Sequence, residues 1–219
     1  MIHLEFYPLA QQLHQLPAEK RSAYVALQKQ HLHQLRLMHL SHYVGETLKS
    51  SDFAKTAHGK PYLSEHRIAF NHSHSAKHYV LASSQQQSHI GVDVEDLDRE
   101  VRFDALARHA FHPAEYACWQ AADYDSVLWF RIWTVKEALL KASGLGIRLS
   151  LNTLNTRIHP EQEFGSIIDD RLGTFAFQSM QVGGAMLSVA WESGLACGDF
   201  QVPRFALHIH DQIIIPELI

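Results

Sequence analysis

Cysteine is nearly missing. Of 219 residues only Cys118 and Cys197 carry a thiol, far apart, so neither a disulfide framework nor a Cys-x-x-Cys pair can form. No apolar run approaches the roughly 20 residues needed to cross a bilayer. The opening MIHLEFYPLAQQ lacks the basic start and apolar core of a secretory signal. These absences predict a protein of the reducing cytoplasm that is not membrane-bound. A basic excess is also lacking: Lys and Arg total 19 against 23 Asp and Glu, a formal charge of −4, which argues against nucleic acid or an anionic membrane as partner. With 46% hydrophobic and 19% charged residues, disorder, collagen-like sequence and coiled coil are excluded, and one domain or two small ones with a real core are expected. What the chain has in abundance is histidine, 17 residues, read here as compositional bias on solvated helix faces rather than a metal centre.

Hydrophobic spacing predicts an opening strand over 1–9, with Ile2, Leu4 and Phe6 alternating. Pro17-Ala18-Glu19 is a helix start, and Leu27, Leu32, Leu35, Leu40 and Val44 continue at helical spacing. Strands are expected around Ile68–Asn71, Tyr79–Ser83 and Ile90–Glu95. Helices are expected over Phe103–Phe111, Ala114–Ala122 and Val127–Ser143, the last stopping on Gly144. Ile147–Leu154, Phe175–Met180 and Met186–Trp191 are further strand candidates. Helices followed by strands, twice over, give an α+β fold, read as an N-terminal half over residues 1–98 and a C-terminal half over 99–219.

Three segments carry chemistry. In Gly91-Val92-Asp93-Val94-Glu95, strand alternation puts Asp93 and Glu95 on one face, about 7 Å apart at Cα, where they can converge on a hard cation such as Mg²⁺. The bland alternative is the polar face of an ordinary strand. In Trp133-Thr134-Val135-Lys136-Glu137-Ala138-Leu139-Leu140-Lys141, helical spacing puts Trp133, Glu137 and Lys141 on one face. That is either a surface Glu–Lys pair, or a third metal ligand beside a cation for phosphate oxygens. Asn71-His72-Ser73-His74-Ser75 offers a hydroxyl, imidazoles and backbone amides to a phosphate. The same stretch could be a Ser-rich turn, or a zinc site from His72, His74 and His78, which no Cys or His-Glu-x-x-His pattern completes.

In order and spacing, Gly59-Lys60-Pro61, Phe70-Asn71-x-Ser73-His74-Ser75, Gly91-Val92-Asp93-Val94-Glu95, Phe111-x-x-x-Glu115 and Trp133-x-x-Lys136-Glu137-Ala138-x-x-Lys141-x-x-Gly144 resemble the Sfp-type 4′-phosphopantetheinyl transferases. The motif-bearing region runs from about Gly59 to Leu154. The resemblance implies two similar α+β halves related by a pseudo-twofold, and the length suits the family's double-module monomer. It implies transfer of the phosphopantetheine arm of coenzyme A to a serine of an apo acyl or peptidyl carrier protein, with release of 3′,5′-ADP. It assigns Asp93, Glu95 and Glu137 to Mg²⁺, with Mn²⁺ as the alternative, and Asp93 to the cofactor-binding set as well. Lys141 and Lys60 would then contact phosphates, and Ser73 with His74 the 3′-phosphoadenosine end. Lys20, Arg21 and Arg36 would be further coenzyme A contacts. Glu137 is the first candidate to accept the serine proton and Glu115 the second, whereas Lys136 points about 100° away on the helix and is expected to pair or solvate. His72 stands where the family usually carries an aliphatic residue. Arg99, Arg102, Arg108 and Arg131, with apolar residues near Phe111, are the candidates for docking an acidic carrier. The competing readings are a Mg²⁺-dependent nucleotide pyrophosphate hydrolase and a non-catalytic coenzyme A-binding protein.

Overall fold

The computed structural model describes residues 1–9, 18–145, 149–193 and 203–213. Pro17, the start of the Ile147 strand candidate and Cys197 lie outside them. The described residues form ten strands and four α-helices: β1 (Ile2–Pro8), α1 (Ala18–Val44), β2 (Phe53–Lys55), β3 (Pro61–Leu63), β4 (Ala69–His74), β5 (His78–Ser84), β6 (Ile90–Asp96), α2 (Phe103–Ala110), α3 (Pro113–Ala121), α4 (Ser126–Ser143), β7 (Phe164–Asp169), β8 (Gly173–Val182), β9 (Ala185–Glu192) and β10 (Phe205–Ile209). Residues 151–153 form a single 3₁₀ turn rather than the expected strand. No described helix is long and apolar enough to cross a membrane.

Helix ends obey local chemistry. Pro113 occupies the first turn of α3, behind a capping box in which His112 Nδ1 accepts from Ala114 N–H and Glu115 Oε2 from His112 N–H. Asp125 caps α4 by accepting from Leu128 N–H at 2.6 Å. Gly144 closes α4 with φ 73°, a left-handed position that an L side chain rarely takes.

Two four-stranded sheets, β10-β1-β5-β4 and β6-β9-β8-β7, lie between α1 on one outer face and α4, with α2 and α3, on the other. The period-2 pattern sorts each strand's residues between these layers. From β1, Ile2, Leu4 and Phe6 enter the core between the sheets, where they meet Val92 and Val94 of β6 and Leu187, Val189 and Trp191 of β9. Tyr7 of β1, with Tyr79 and Leu81 of β5, turns to the α1 side. Met186 and Ala190 of β9 turn to the aromatic core beneath α4, which holds Trp119, Trp129 and Phe130.

A repeat invisible in the residues is present in the topology. In each half a first strand leads through helix to a hairpin whose second strand pairs antiparallel with the first: β1 with β5, and β6 with β9. The pairing does not divide at residue 98. β6 belongs to the second sheet, and β10 crosses back to pair in parallel with β1. Alternation within β6 reveals its two faces but not which sheet it joins.

The two sheets meet along β4 and β6. No ladder joins these edges; instead the Asn71 side chain accepts from Val92 N–H at 2.9 Å. On the other side of β6, Gly91 lies against α4 so closely that a Cβ there would stand 2.1 Å from Ala138 O and 2.3 Å from Ala142 N. The glycine sets the approach of strand to helix, and therefore the distance between the side chains each presents.

Candidate functional site

Because Val92 and Val94 are committed to the inter-sheet core, Asp93 and Glu95 face α4, where Glu137 and Lys141 project one turn apart. Ser73 arrives from β4. Asp93 is 5% exposed, and its Oδ1 accepts from Lys141 Nζ at 2.6 Å and from Ser73 Oγ at 2.8 Å. Lys141 Nζ also donates to Ser73 Oγ at 2.8 Å, closing a three-membered ring. The other oxygen, Asp93 Oδ2, is buried with no hydrogen-bond partner. A buried carboxylate oxygen left bare costs free energy unless something cationic or a donor completes it.

Two more carboxylates lie within electrostatic reach. Burial, then Asp93 and Glu95, push the Glu137 carboxyl above its usual range, only partly offset by Lys141. Burial, then Asp93, raise Glu95 as well, against hydrogen bonds from Arg99 and Trp133. Mutual repulsion among three carboxylates around a bare oxygen is the chemistry of a cation site, and an all-oxygen donor set suits Mg²⁺ or Mn²⁺. The residues therefore fit such an ion, although the Asp93, Glu95 and Glu137 oxygens are not the trio that converges within 4.8 Å among the described residues.

His74 lies on the exposed end of β4, beside a groove of about 680 Å³ that Glu95 and Arg99 also line. Burial first, then Lys141 and Lys29, lower its pKa. His72, on the α1 side of the same strand, meets Arg36 at 2.7 Å and is pushed to about 3 by burial and that guanidinium. His78 instead bonds Asp96 at 2.7 Å. The three histidines of the zinc alternative are thus separated: His74 lines the groove, His72 meets Arg36 and His78 meets Asp96.

Several expected site residues serve the fold. Glu115 is 2% exposed; its Oε2 meets Lys136 Nζ at 2.7 Å and its Oε1 accepts from Thr156 N–H at 2.8 Å. Both oxygens are spent, so it is not placed to take a proton from a substrate. Lys136 pairs there, as its helical angle implied, and also donates to Leu151 O at 2.8 Å. Lys60 donates to Ile90 O at 3.0 Å and Ala142 O at 2.9 Å, tying the start of β6 to the end of α4, with burial lowering its pKa to about 8. Arg36 is held between His33 and His72, each at 2.7 Å, and its guanidinium lies over the Phe53 ring. Lys20 and Arg21 sit exposed on the first turn of α1.

Of the docking candidates, Phe111 is buried, Arg99 pairs with Glu95 at 2.6 Å, Arg108 with Asp104 at 2.9 Å, and Arg131 donates to Pro160 O at 2.7 Å. The guanidiniums of Arg99, Arg108 and Arg131 thus hold the molecule's own groups. Two roles had no signal in the sequence: the Asn71 bridge and the Arg99 contact to Glu95. Both depend on strands and turns brought together only by the fold.

Comparison with known proteins gives one family match, over residues 89–189, to the 4′-phosphopantetheinyl transferase superfamily. Among curated proteins, one from Haemophilus influenzae provisionally named a 4′-phosphopantetheinyl transferase is 30% identical over 160 residues, 71% of this chain and 66% of that protein. The 4′-phosphopantetheinyl transferase HetI of a Nostoc species is 34% identical over 114 residues, 49% of this chain and 48% of its own. The Sfp transferase of Bacillus subtilis is 28% identical over 121 residues, 54% and 52%. The chain spans about two thirds of the first and about half of the other two.

Proposed function

The chain belongs to the 4′-phosphopantetheinyl transferase superfamily, and on that premise we propose that it moves the 4′-phosphopantetheine arm of coenzyme A onto a serine hydroxyl of an apo acyl or peptidyl carrier protein. The serine oxygen forms a bond to the pantetheine-side phosphorus, the pyrophosphate P–O bond breaks, and 3′,5′-ADP departs with the electron pair. The observation that carries this reading is Asp93: one oxygen held by Ser73 and Lys141, the other buried and bare, beside two carboxylates of raised pKa.

In this reading Asp93, Glu95 and Glu137 hold a divalent ion, Mg²⁺ or Mn²⁺, which when bound supplies positive charge to the pyrophosphate oxygens. Lys141, already beside Asp93, extends that charge to the phosphates, and Ser73 with His74 borders the 3′-phosphoadenosine end. Lys20 and Arg21 are candidate contacts for the same substrate from α1. The nucleophile belongs to the partner, so the chain needs only an acceptor for its proton. Glu137, on the α4 face beside Asp93, is the candidate acceptor, directly or through a water.

The test is intact-mass spectrometry of an apo acyl carrier protein incubated with this protein, coenzyme A and Mg²⁺. A gain of one phosphopantetheine, lost with a chelator and in Glu137→Ala, is the expected result. Coenzyme A cleaved without transfer would favour pyrophosphate hydrolysis. Coenzyme A bound but intact, across several carriers, would favour a non-catalytic binding protein.

A further inference from the structure

Glu5 sits in the middle of β1, 3% exposed, and the groups that hold its carboxylate are a tyrosine and histidines. Tyr43 donates to Oε1. His210 Nε2 lies 2.5 Å from Oε2, and His39 Nδ1 lies 3.7 Å from the same oxygen. Histidine lends positive charge only near and below its ordinary pKa of about 6.5. At neutral pH a buried carboxylate so surrounded has ligands facing it rather than a permanent counter-charge.

We propose that Glu5, His39 and His210 form a binding site for a divalent transition-metal ion of the zinc type, through Oε2, Nδ1 and Nε2. These three atoms all lie within 4.8 Å of one another. Bonds of about 2.0–2.2 Å in a tetrahedral shell hold ligand atoms roughly 3.4 Å apart, so the 3.7 Å pair is nearly spaced for an ion. The 2.5 Å pair would open as the metal replaces the shared proton. His210, directly after β10, is half-buried, and its backbone N–H donates to Phe6 O at 2.9 Å.

The surrounding contacts are those that metal ligands need. The Tyr7 hydroxyl lies 2.6 Å from His39 Nε2, so a proton on Nε2 leaves the Nδ1 lone pair directed at Glu5. The Tyr7 ring also stacks on His210, with centroids 4.2 Å apart and planes 9° from parallel. One tyrosine thereby orients both imidazoles, and Tyr43 orients the carboxylate. A groove of about 380 Å³, rimmed by Met38, His42 and His208, opens onto Glu5 and His39 and gives an ion a way in.

Two nitrogens and one oxygen select zinc, cobalt or nickel rather than magnesium. The site shares no residue with the Asp93 cluster and does not depend on the transferase reading. Its ligands come from β1, α1 and the segment after β10, so an ion would clamp the returning strand to the first sheet.

The experiment titrates the whole, chelator-stripped chain with Zn²⁺ or Co²⁺ in excess Mg²⁺, which occupies oxygen-only sites. One tight equivalent of Zn²⁺ is expected, with the intense visible absorption of a four-coordinate site for Co²⁺. Affinity should fall at least about tenfold in Glu5→Gln, His39→Ala and His210→Ala. Zn²⁺ should raise the thermal midpoint of the parent protein and not that of His210→Ala. His210→Cys should retain Co²⁺ and add a thiolate-to-cobalt charge-transfer band, a readout that mere loosening of β10 cannot produce. Zn²⁺ uptake undiminished in the alanine variants, or no such band from His210→Cys in a protein whose circular dichroism is unchanged, would overturn the assignment.

Discussion

The Lys136 ammonium lies 2.7 Å from Glu115 Oε2, with neither side chain more than 2% exposed. Its chain neighbour Glu137 faces about 100° round the helix, toward Asp93. A helix advances 100° per residue, so a Lys-Glu dipeptide divides its charges between the interior and the site. The pair also anchors Thr156 and Leu151, holding the 151–156 segment against α3 and α4.

Removing either partner strands the other's charge in the core. Glu115→Ala and Lys136→Ala should each lose about 3–5 kcal/mol of stability, and the double substitution less than the sum. Urea denaturation measures this. Carrier modification by the fraction that remains folded should be changed only a few-fold, because Glu115 is not placed to take the substrate proton.

Gly91→Ala would drive a methyl into the α4 backbone at Ala138 and Ala142. We expect a stability loss of about 1–3 kcal/mol or more. The displaced helix would also carry Glu137 and Lys141 away from Asp93, so Mg²⁺-dependent activity should fall further than the folded fraction does. Activity measured at low temperature on folded protein separates the two effects.

Glu137→Gln should act in opposite directions on stability and activity. A carboxyl whose folded pKa is raised stabilises the fold below its unfolded pKa and loses that contribution as pH climbs through the raised value. At neutral pH without metal, Glu137 is therefore a repulsive charge, and its amide should raise the thermal midpoint while abolishing transfer. By the same sign, Mg²⁺ should stabilise the parent protein at pH 7.5 and do so progressively less as the pH falls and Glu95 and Glu137 take up protons.

Lys141→Ala deletes the cation beside Asp93 Oδ1 and leaves Ser73 as its donor. Turnover of coenzyme A should drop by about 10²–10³-fold, the cost of one preorganised electrostatic contact. Steady-state kinetics at saturating Mg²⁺ checks it. A fall of less than about fivefold would remove Lys141 from the phosphate-binding set.

Much of this was legible in the sequence where the signal is local. The alternation of Val92 and Val94 with Asp93 and Glu95 gave both the strand and its two faces, and the Glu137–Lys141 spacing gave the helical face that meets it. The glycine stop of α4 was equally plain. Partners distant along the chain were not. Lys60 reads as a free cation until Ile90 and Ala142 present their carbonyls to it, and Arg36 until His33 and His72 enclose it. β2 and β3 are three residues each, too short for a periodicity to register. β10 owes its pairing to β1, some two hundred positions away.

That last pairing bears on synthesis. A growing chain can assemble the antiparallel partners of the first sheet early, since β4 and β5 soon follow β1, but the outer edge of β1 stays bare until β10 has cleared the ribosome. For most of translation this edge, carrying Ile2, Leu4 and Phe6, can pair with another nascent chain. Shortened forms ending before residue 205 should be recovered chiefly as aggregates, even though every residue around Asp93 is already present in them.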